Sequence, residues 1–183
     1  MEGIVRTRVG YAGGTADNPT YHNLADHTEC LQVEYDESMI SYERILEWFW
    51  KLHNSTRRVW SRQYMPVLFY HDEQQKALAI ASKELQQSLL GKVITPIEQY
   101  EKFFLAEFYH QKYYLQQVRE VAQEIQKHEG TPQQFVDSTV AARLNGYIAG
   151  YGNLPQLLLE LPDWKLSDAA KKLLIVRVSS YQS

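Results

Sequence analysis

The sequence predicts an α+β fold: a two-layer sandwich in which helices pack on a mixed sheet, followed by a mostly helical C-terminal extension. Three observations predict it. Apolar residues alternate with polar ones in two short stretches, residues 4–11 and 29–35, as half-buried strands require. Helical spacing behind cap residues follows at 41–52 and 72–90. The resulting order, strand–strand–helix–strand–helix–strand, fits a sheet covered by helices. A length of 183 residues suits one domain, or one domain with an extension, and can bury a real core.

The elements follow in order. Ile4, Val5, Val9 and Tyr11 interleave with Arg6 and Arg8, giving a strand that stops at the double glycine Gly13-Gly14. Residues 15–27 are polar, contain Asn18-Pro19, and read as loop. In 29–35, Glu29, Leu31, Val33 and Tyr35 face one way and Cys30, Gln32 and Glu34 the other. Ser41 caps a helix carrying Ile45, Leu46, Phe49, Trp50 and Leu52. Residues 54–62 form a basic irregular loop, and 65–70 a short apolar strand. Asp72 caps a long helix to about Leu90, with Ala77, Ile80, Ala81, Leu85 and Leu89 along one side; Gly91 ends it. Residues 92–96 suggest a further strand, 103–115 are aromatic-rich, and 114–127 look helical. After Gly130-Thr131-Pro132 the character changes: 133–144 look helical, 145–152 are rich in glycine and tyrosine, and Ser167 starts a last amphipathic helix. The expected division is a domain over 1–129 and an extension over 130–183.

Composition narrows the function. The chain is 44% hydrophobic and 22% charged, as in folded soluble proteins. The formal charge of −3, from 19 basic and 22 acidic residues, gives no general attraction to nucleic acid or anionic membranes. No apolar run approaches the roughly 18 residues of a membrane span. No secretory signal is read ahead of the first motif, and a cytoplasmic location is expected. The single cysteine, Cys30, excludes an internal disulfide and argues against a cysteine zinc site; no metal is expected. Most of the 13 tyrosines and 4 tryptophans are assigned to the core.

The motif that carries most information is Val9-Gly10-Tyr11-Ala12-Gly13-Gly14, followed by Asn18-Pro19-Thr20-Tyr21 and His27-Thr28-Glu29. With it stand Val33-Glu34-Tyr35-Asp36, the stretch around Phe49-Trp50 with His53-Asn54, Gln63-Tyr64 before an apolar strand, and Phe104-Leu105-Ala106-Glu107-Phe108-Tyr109-His110-Gln111-Lys112-Tyr113-Tyr114. These five stretches, in this order over about residues 1–115, resemble the A-type peptide methionine sulfoxide reductases. The resemblance implies a ferredoxin-like core and reduction of methionine-S-sulfoxide in proteins. It implies no bound cofactor: electrons come from an external thiol, thioredoxin or glutathione. Oxidised methionine in proteins or peptides and a thioredoxin-like reductant are the expected partners of a monomer.

Residue by residue, Glu29 matches the family's catalytic acid, and Tyr21 and Tyr64 match its substrate-binding phenols. Glu107, Tyr109 and His110 are read as a shell around that acid, with plain helix packing as the alternative. The chemistry asks for such groups. As a thiolate attacks the sulfoxide sulfur, the oxygen needs hydrogen-bond donors and a proton, which phenols and a carboxylic acid supply. Three features depart from the family. Its Gly-Cys-Phe-Trp segment, bearing the nucleophile, is absent, with the first strand and helix around it. The Gln-Gly-x-Asp-x-Gly stretch and the C-terminal resolving cysteine are also absent. The expectation is an N-terminally truncated member, inactive as given, whose nucleophile (cysteine or selenocysteine) lies upstream of Met1. Cys30, on the opposite strand face from Glu29, is read as a small core residue. The alternatives are a non-catalytic methionine-sulfoxide-binding or structural protein, and an interaction module in residues 131–183. Arg57, Arg58 and Arg62 are read as a solvated loop rather than a phosphate or nucleic-acid patch.

Overall fold

A computed structural model describes residues 2–181. They form a mixed α/β structure that divides into two compact units. One comprises Val9–Ala106 with the residues up to Ile4; the other comprises Val5–Arg8 and the described residues from Glu107 onward. The packed units thus divide near residue 106, whereas composition suggested 129/130. The reason is local: Glu107 begins a helical stretch whose segments pack on one another.

The first unit contains strand β1 (Ile4–Ala12, apart from its central residues), β2 (Thr28–Tyr35), helix α1 (Tyr42–Lys51), β3 (Leu68–Tyr70), helix α2 (Glu73–Leu90), β4 (Ile97–Gln99) and β5 (Phe103–Leu105). The strands make two small sheets rather than one mixed sheet: β2-β1-β5, and the pair β3-β4. In the first, β5 runs antiparallel to β1, with Gly10 opposite Leu105 and Ala12 opposite Phe103. In the second, β3 and β4 are parallel, with Leu68 opposite Ile97. A parallel pair needs a long crossover, and α2 supplies it.

The caps behave as the sequence predicts. Ser41 accepts from the Arg44 amide and Asp72 from the Gln75 amide, and Gly91 closes α2 with φ +83°. Two expectations about the α2 region fail. The strand placed at 92–96 lies at Ile97–Gln99, because the parallel register with β3 selects those residues. The apolar side of α2 also faces outward: Ile80, Leu85 and Leu89 are exposed. The packed side instead carries Leu78, fully buried Ala79, Ser82 and Lys83. Small Ala79 admits Trp50, whose indole donates to Ser82 Oγ at 3.0 Å, and Lys83 Nζ donates to the Thr95 carbonyl at 2.7 Å. Polar groups that need partners outweigh the larger apolar stripe.

The second unit is helical from Tyr113 onward: α3 (Tyr113–Gln116), α4 (Arg119–Glu129), α5 (Pro132–Asp137), α6 (Thr139–Ile148), α7 (Leu154–Glu160) and α8 (Asp168–Ser179). The helix read over 114–127 is broken at Gln117-Val118, and that over 133–144 at Ser138. Ser138 leaves helical geometry at ψ 127° and caps α6 by accepting from the Ala141 amide. The first half of the glycine–tyrosine stretch 145–152 ends α6, and the second half lies beyond it. α7 was not foreseen; Asn153 caps it and a proline sits in its first turn. Ser167 caps α8 as expected, accepting from the Ala170 amide. Lys112 is buried with φ +49°, and its ammonium donates to the Thr7 carbonyl and, at 3.1 Å, to Thr7 Oγ1.

Candidate active site

The candidate site lies within the first unit and is assembled by polar contacts between loops. β1 ends at Ala12, and the chain turns through Gly13 at φ +74°. A Cβ there would meet the Phe69 ring at 2.6 Å, so the turn requires glycine. At Gly14 a Cβ would sit 2.5 Å from Asp26 Oδ1 and 2.7 Å from His27. This close approach is what the double glycine predicted.

Asp26 and His27 fold the intervening loop back onto that turn. Asp26 accepts from the Thr15 amide at 2.7 Å, the Thr15 hydroxyl at 2.9 Å and the Ala16 amide at 3.2 Å. Led by the Thr15 amide, these donors lower its carboxyl pKa to about 2. His27 is 1% exposed. Its Nδ1 accepts from the Gly14 amide at 3.2 Å, which leaves Nε2–H to donate to the Ala16 carbonyl at 2.8 Å. Both nitrogens are committed, so His27 braces the loop that carries Tyr21.

A second loop brings Tyr64 to Glu29. The Glu29 amide donates to the Gln63 carbonyl at 2.9 Å, and the Thr28 hydroxyl lies 3.1 Å from the Gln63 and Met65 carbonyls. Gln63 Nε2 donates to Glu29 Oε1 at 2.7 Å. Arg62 pins the base of this loop. It holds Glu98 with two bonds of 2.9 and 2.8 Å and donates to the carbonyls of Gly13 at 2.8 Å and Asp26 at 3.3 Å. The reading of Arg62 as a solvated residue is therefore corrected: it ties three segments of the unit together.

The result is a cluster of Tyr21, Tyr64, Glu29 and Gln63. The two phenols are hydrogen-bonded to each other; this bond, then charge repulsion from Tyr21, slight desolvation and the Glu29 carboxylate, hold the Tyr64 pKa above its usual value. Glu29 and Tyr64 are exposed and Tyr21 is half-buried, so a ligand from solution can reach all three. Two residues of this machinery escaped the sequence reading as site members, Asp26 and Gln63. Only their adjacency to His27 and Tyr64 could have signalled them, because their partners lie far away in sequence.

Cys30 follows Glu29 on β2, and successive side chains point to opposite faces. Its thiol lies 3.5 Å from the Gly10 carbonyl, and burial pushes it up to about 12. Glu107, Tyr109 and His110 belong to the second unit. There His110 Nε2 lies 4.0 Å from Glu107 Oε2, and its ring packs on Tyr109 with centroids 4.2 Å apart. Among the described residues, no group of three His, Cys, Asp or Glu is placed to hold a metal ion, and no helix is long and apolar enough to cross a membrane.

This geometry coincides with a family match. The peptide methionine sulfoxide reductase family model matches residues 1–143. A peptide methionine sulfoxide reductase of Drosophila melanogaster is 43% identical over 161 residues, covering 86% of this chain and 64% of the fly protein. Peptide methionine sulfoxide reductase A5 of Arabidopsis thaliana is 40% identical, covering 81% of this chain and 61% of its own length. The chain thus spans somewhat under two thirds of these relatives. Among solved structures, reduced Mxr1 of Saccharomyces cerevisiae matches with a TM-score of 0.57 at 30% identity, covering 63% of this chain and 72% of that one. Methionine sulfoxide reductase A of Corynebacterium diphtheriae matches with a TM-score of 0.52 at 25% identity, covering 63% and 64%. The chain belongs to the peptide methionine sulfoxide reductase family.

Proposed function

We propose that Tyr21, Tyr64 and Glu29 hold the sulfoxide oxygen of oxidised methionine in polypeptides, for reduction of methionine-S-sulfoxide by an external thiol. The observation that carries this reading is the pair of hydrogen-bonded phenols beside an accessible carboxylate. Phenol donors stabilise the oxygen as charge develops on it, and a carboxylic acid at Glu29 delivers the proton. A thiolate attacks sulfur and takes the oxygen, becoming a sulfenic acid, while the thioether is released. A second thiol then forms a disulfide and water. Thioredoxin or glutathione serves as reductant of a monomeric protein. For Glu107, Tyr109 and His110 a supporting role rests on the motif match alone. The same reading takes the sheets and their helices as the family's two-layer, ferredoxin-like core.

Cys30 does not fit the attacking thiol. With its pKa near 12 it stays protonated at neutral pH, and the thiolate is the nucleophile. This favours a second reading of these residues: binding of methionine sulfoxide without turnover. Calorimetry with a methionine-S-sulfoxide peptide, alongside a turnover assay with dithiothreitol or thioredoxin, tests both. Binding that Glu29→Gln or Tyr64→Phe weakens supports the oxygen-holding site, and binding without turnover supports the second reading. Absence of binding contradicts both.

A further inference from the structure

The first unit has a cavity of about 670 Å³ whose lining includes none of Tyr21, Tyr64 and Glu29. This volume lies within the usual range of ligand sites. Met65 and Pro66, which line it, directly follow Tyr64 in the chain. Arg57, Arg58 and Lys92 also line it, beside apolar Ile94. All three cations are exposed, and none makes an ion pair among the described residues. No carboxylate lines the cavity. In a chain of net charge −3, three uncompensated cations around one apolar-walled cavity mark a local reversal of sign. The wall is also held in place. His53 Nδ1–H donates to the Phe49 carbonyl at 2.8 Å, so Nε2 accepts from the hydroxyl of lining residue Thr95 at 3.0 Å. The Ile94 amide donates to the Ser55 carbonyl at 2.9 Å.

We propose that this groove receives an acidic segment of the substrate polypeptide next to the oxidised methionine, so that Arg57, Arg58 and Lys92 select which methionine sulfoxides are bound. The proposal rests on the oxygen-holding reading of Tyr21, Tyr64 and Glu29. It adds a preference that those residues cannot supply. The occupant is a peptide because Met65 and Pro66, which line the groove, directly follow Tyr64 in the chain, so that one polypeptide can engage both. Nucleic acid is disfavoured because no aromatic side chain on which bases could stack lines the cavity.

The test uses the full chain and four labelled peptides of equal length. The central residue is methionine-S-sulfoxide or methionine, and the flanks are Asp/Glu or Ser/Gly. Binding is read by fluorescence anisotropy and by the emission of Trp60, 94% exposed in the same loop. The acidic oxidised peptide is expected to bind about tenfold tighter than the neutral one at low ionic strength, as three exposed charge contacts of ordinary strength give. That margin shrinks with added salt. Replacing the three cations by Gln (Arg57→Gln, Arg58→Gln and Lys92→Gln together) is expected to make acidic and neutral peptides bind alike. An acidic preference that is absent from the parent chain, or that survives the triple replacement, overturns the proposal. So does displacement of the acidic peptide by glutathione or a single-stranded oligonucleotide at lower concentration than by its own unlabelled copy. The ratio of oxidised to unoxidised binding reads the oxygen-holding site separately, so each reading can fail alone.

Discussion

In the helical unit, sixteen buried residues among those described form one cluster, with Phe135, Leu144 and Leu157 fully enclosed. In the unit that carries the candidate site, the clusters are small: five residues around Leu46 and Trp50, and three around Tyr11. What the second unit achieves by apolar burial, the first achieves by polar ties between loops. Arg62 holds the carbonyls of Gly13 and Asp26, and Asp26 and His27 hold backbone groups of residues 14–16. The difference teaches where a binding surface can be built. Loops fixed by hydrogen bonds leave side chains such as Tyr64 and Glu29 open to solvent, which a well-filled apolar core cannot do.

The first expected effect concerns Cys30, whose thiol loses reactivity through burial in the site-bearing unit. Folding raises its pKa from 9.0 to about 12, which lowers the thiolate fraction near pH 8 about a thousandfold. A more basic thiolate is intrinsically more reactive, which returns part of that factor. Alkylation by iodoacetamide is therefore expected to be about thirty- to sixtyfold slower in the folded than in the unfolded chain. Mass spectrometry at timed intervals measures it, and equal rates would show that the strand does not bury this thiol. The linkage has a definite sign. Because the folded pKa is the higher one, this group's contribution to stability is intact below pH 9 and lost as pH rises toward 12.

Next come the two kinds of scaffold. Phe135→Ala in the helical unit, at 0% exposure, is expected to cost about 3–5 kcal/mol in denaturant unfolding. Arg62→Met, which removes the Glu98 pair and two carbonyl contacts of a side chain 31% exposed, is expected to cost less, about 1–3 kcal/mol. It should also loosen the 62–65 loop, seen as faster exchange of the Glu29 amide bonded to Gln63. If Arg62→Met proved the costlier, or left that amide protected, the contrast between burial and polar ties would be wrong.

The smallest effect is local and depends on pH. The Asp26 carboxyl is depressed from 3.8 to about 2, so its hold on the Thr15 and Ala16 amides is complete above pH 4 and fades as pH falls through 2. Amide chemical shifts of Thr15 and Ala16 should stay constant from pH 7 to 4 and move together below that. A midpoint near 4 would mean that the loop is not closed by this carboxylate.

What the sequence made legible follows from how local each signal is. Ser41, Asp72 and Ser167 announced helices because a cap acts over three residues. The same logic was available at Ser138 and Asn153, where the surrounding apolar runs hid the breaks. The inward face of α2 was not legible: the partners that chose it, Trp50 and the Thr95 carbonyl, are supplied from other elements. Glu29, Tyr21 and Tyr64, the proposed oxygen-holding residues, are named through motif resemblance rather than through local chemistry. Arg62 was misjudged because its meaning depends on Glu98 and Gly13, neither of which is near it in sequence.

The most direct measurement is a calorimetric double-mutant cycle on Tyr21→Phe and Tyr64→Phe, titrating the S-sulfoxide of a blocked methionine and, as control, blocked methionine itself. Two phenols that grip one oxygen should each lose about three- to twentyfold in affinity for the sulfoxide, non-additively, with no change for the thioether. Equal affinity for sulfoxide and thioether in the parent chain, or strictly additive losses shared by both ligands, would contradict the account.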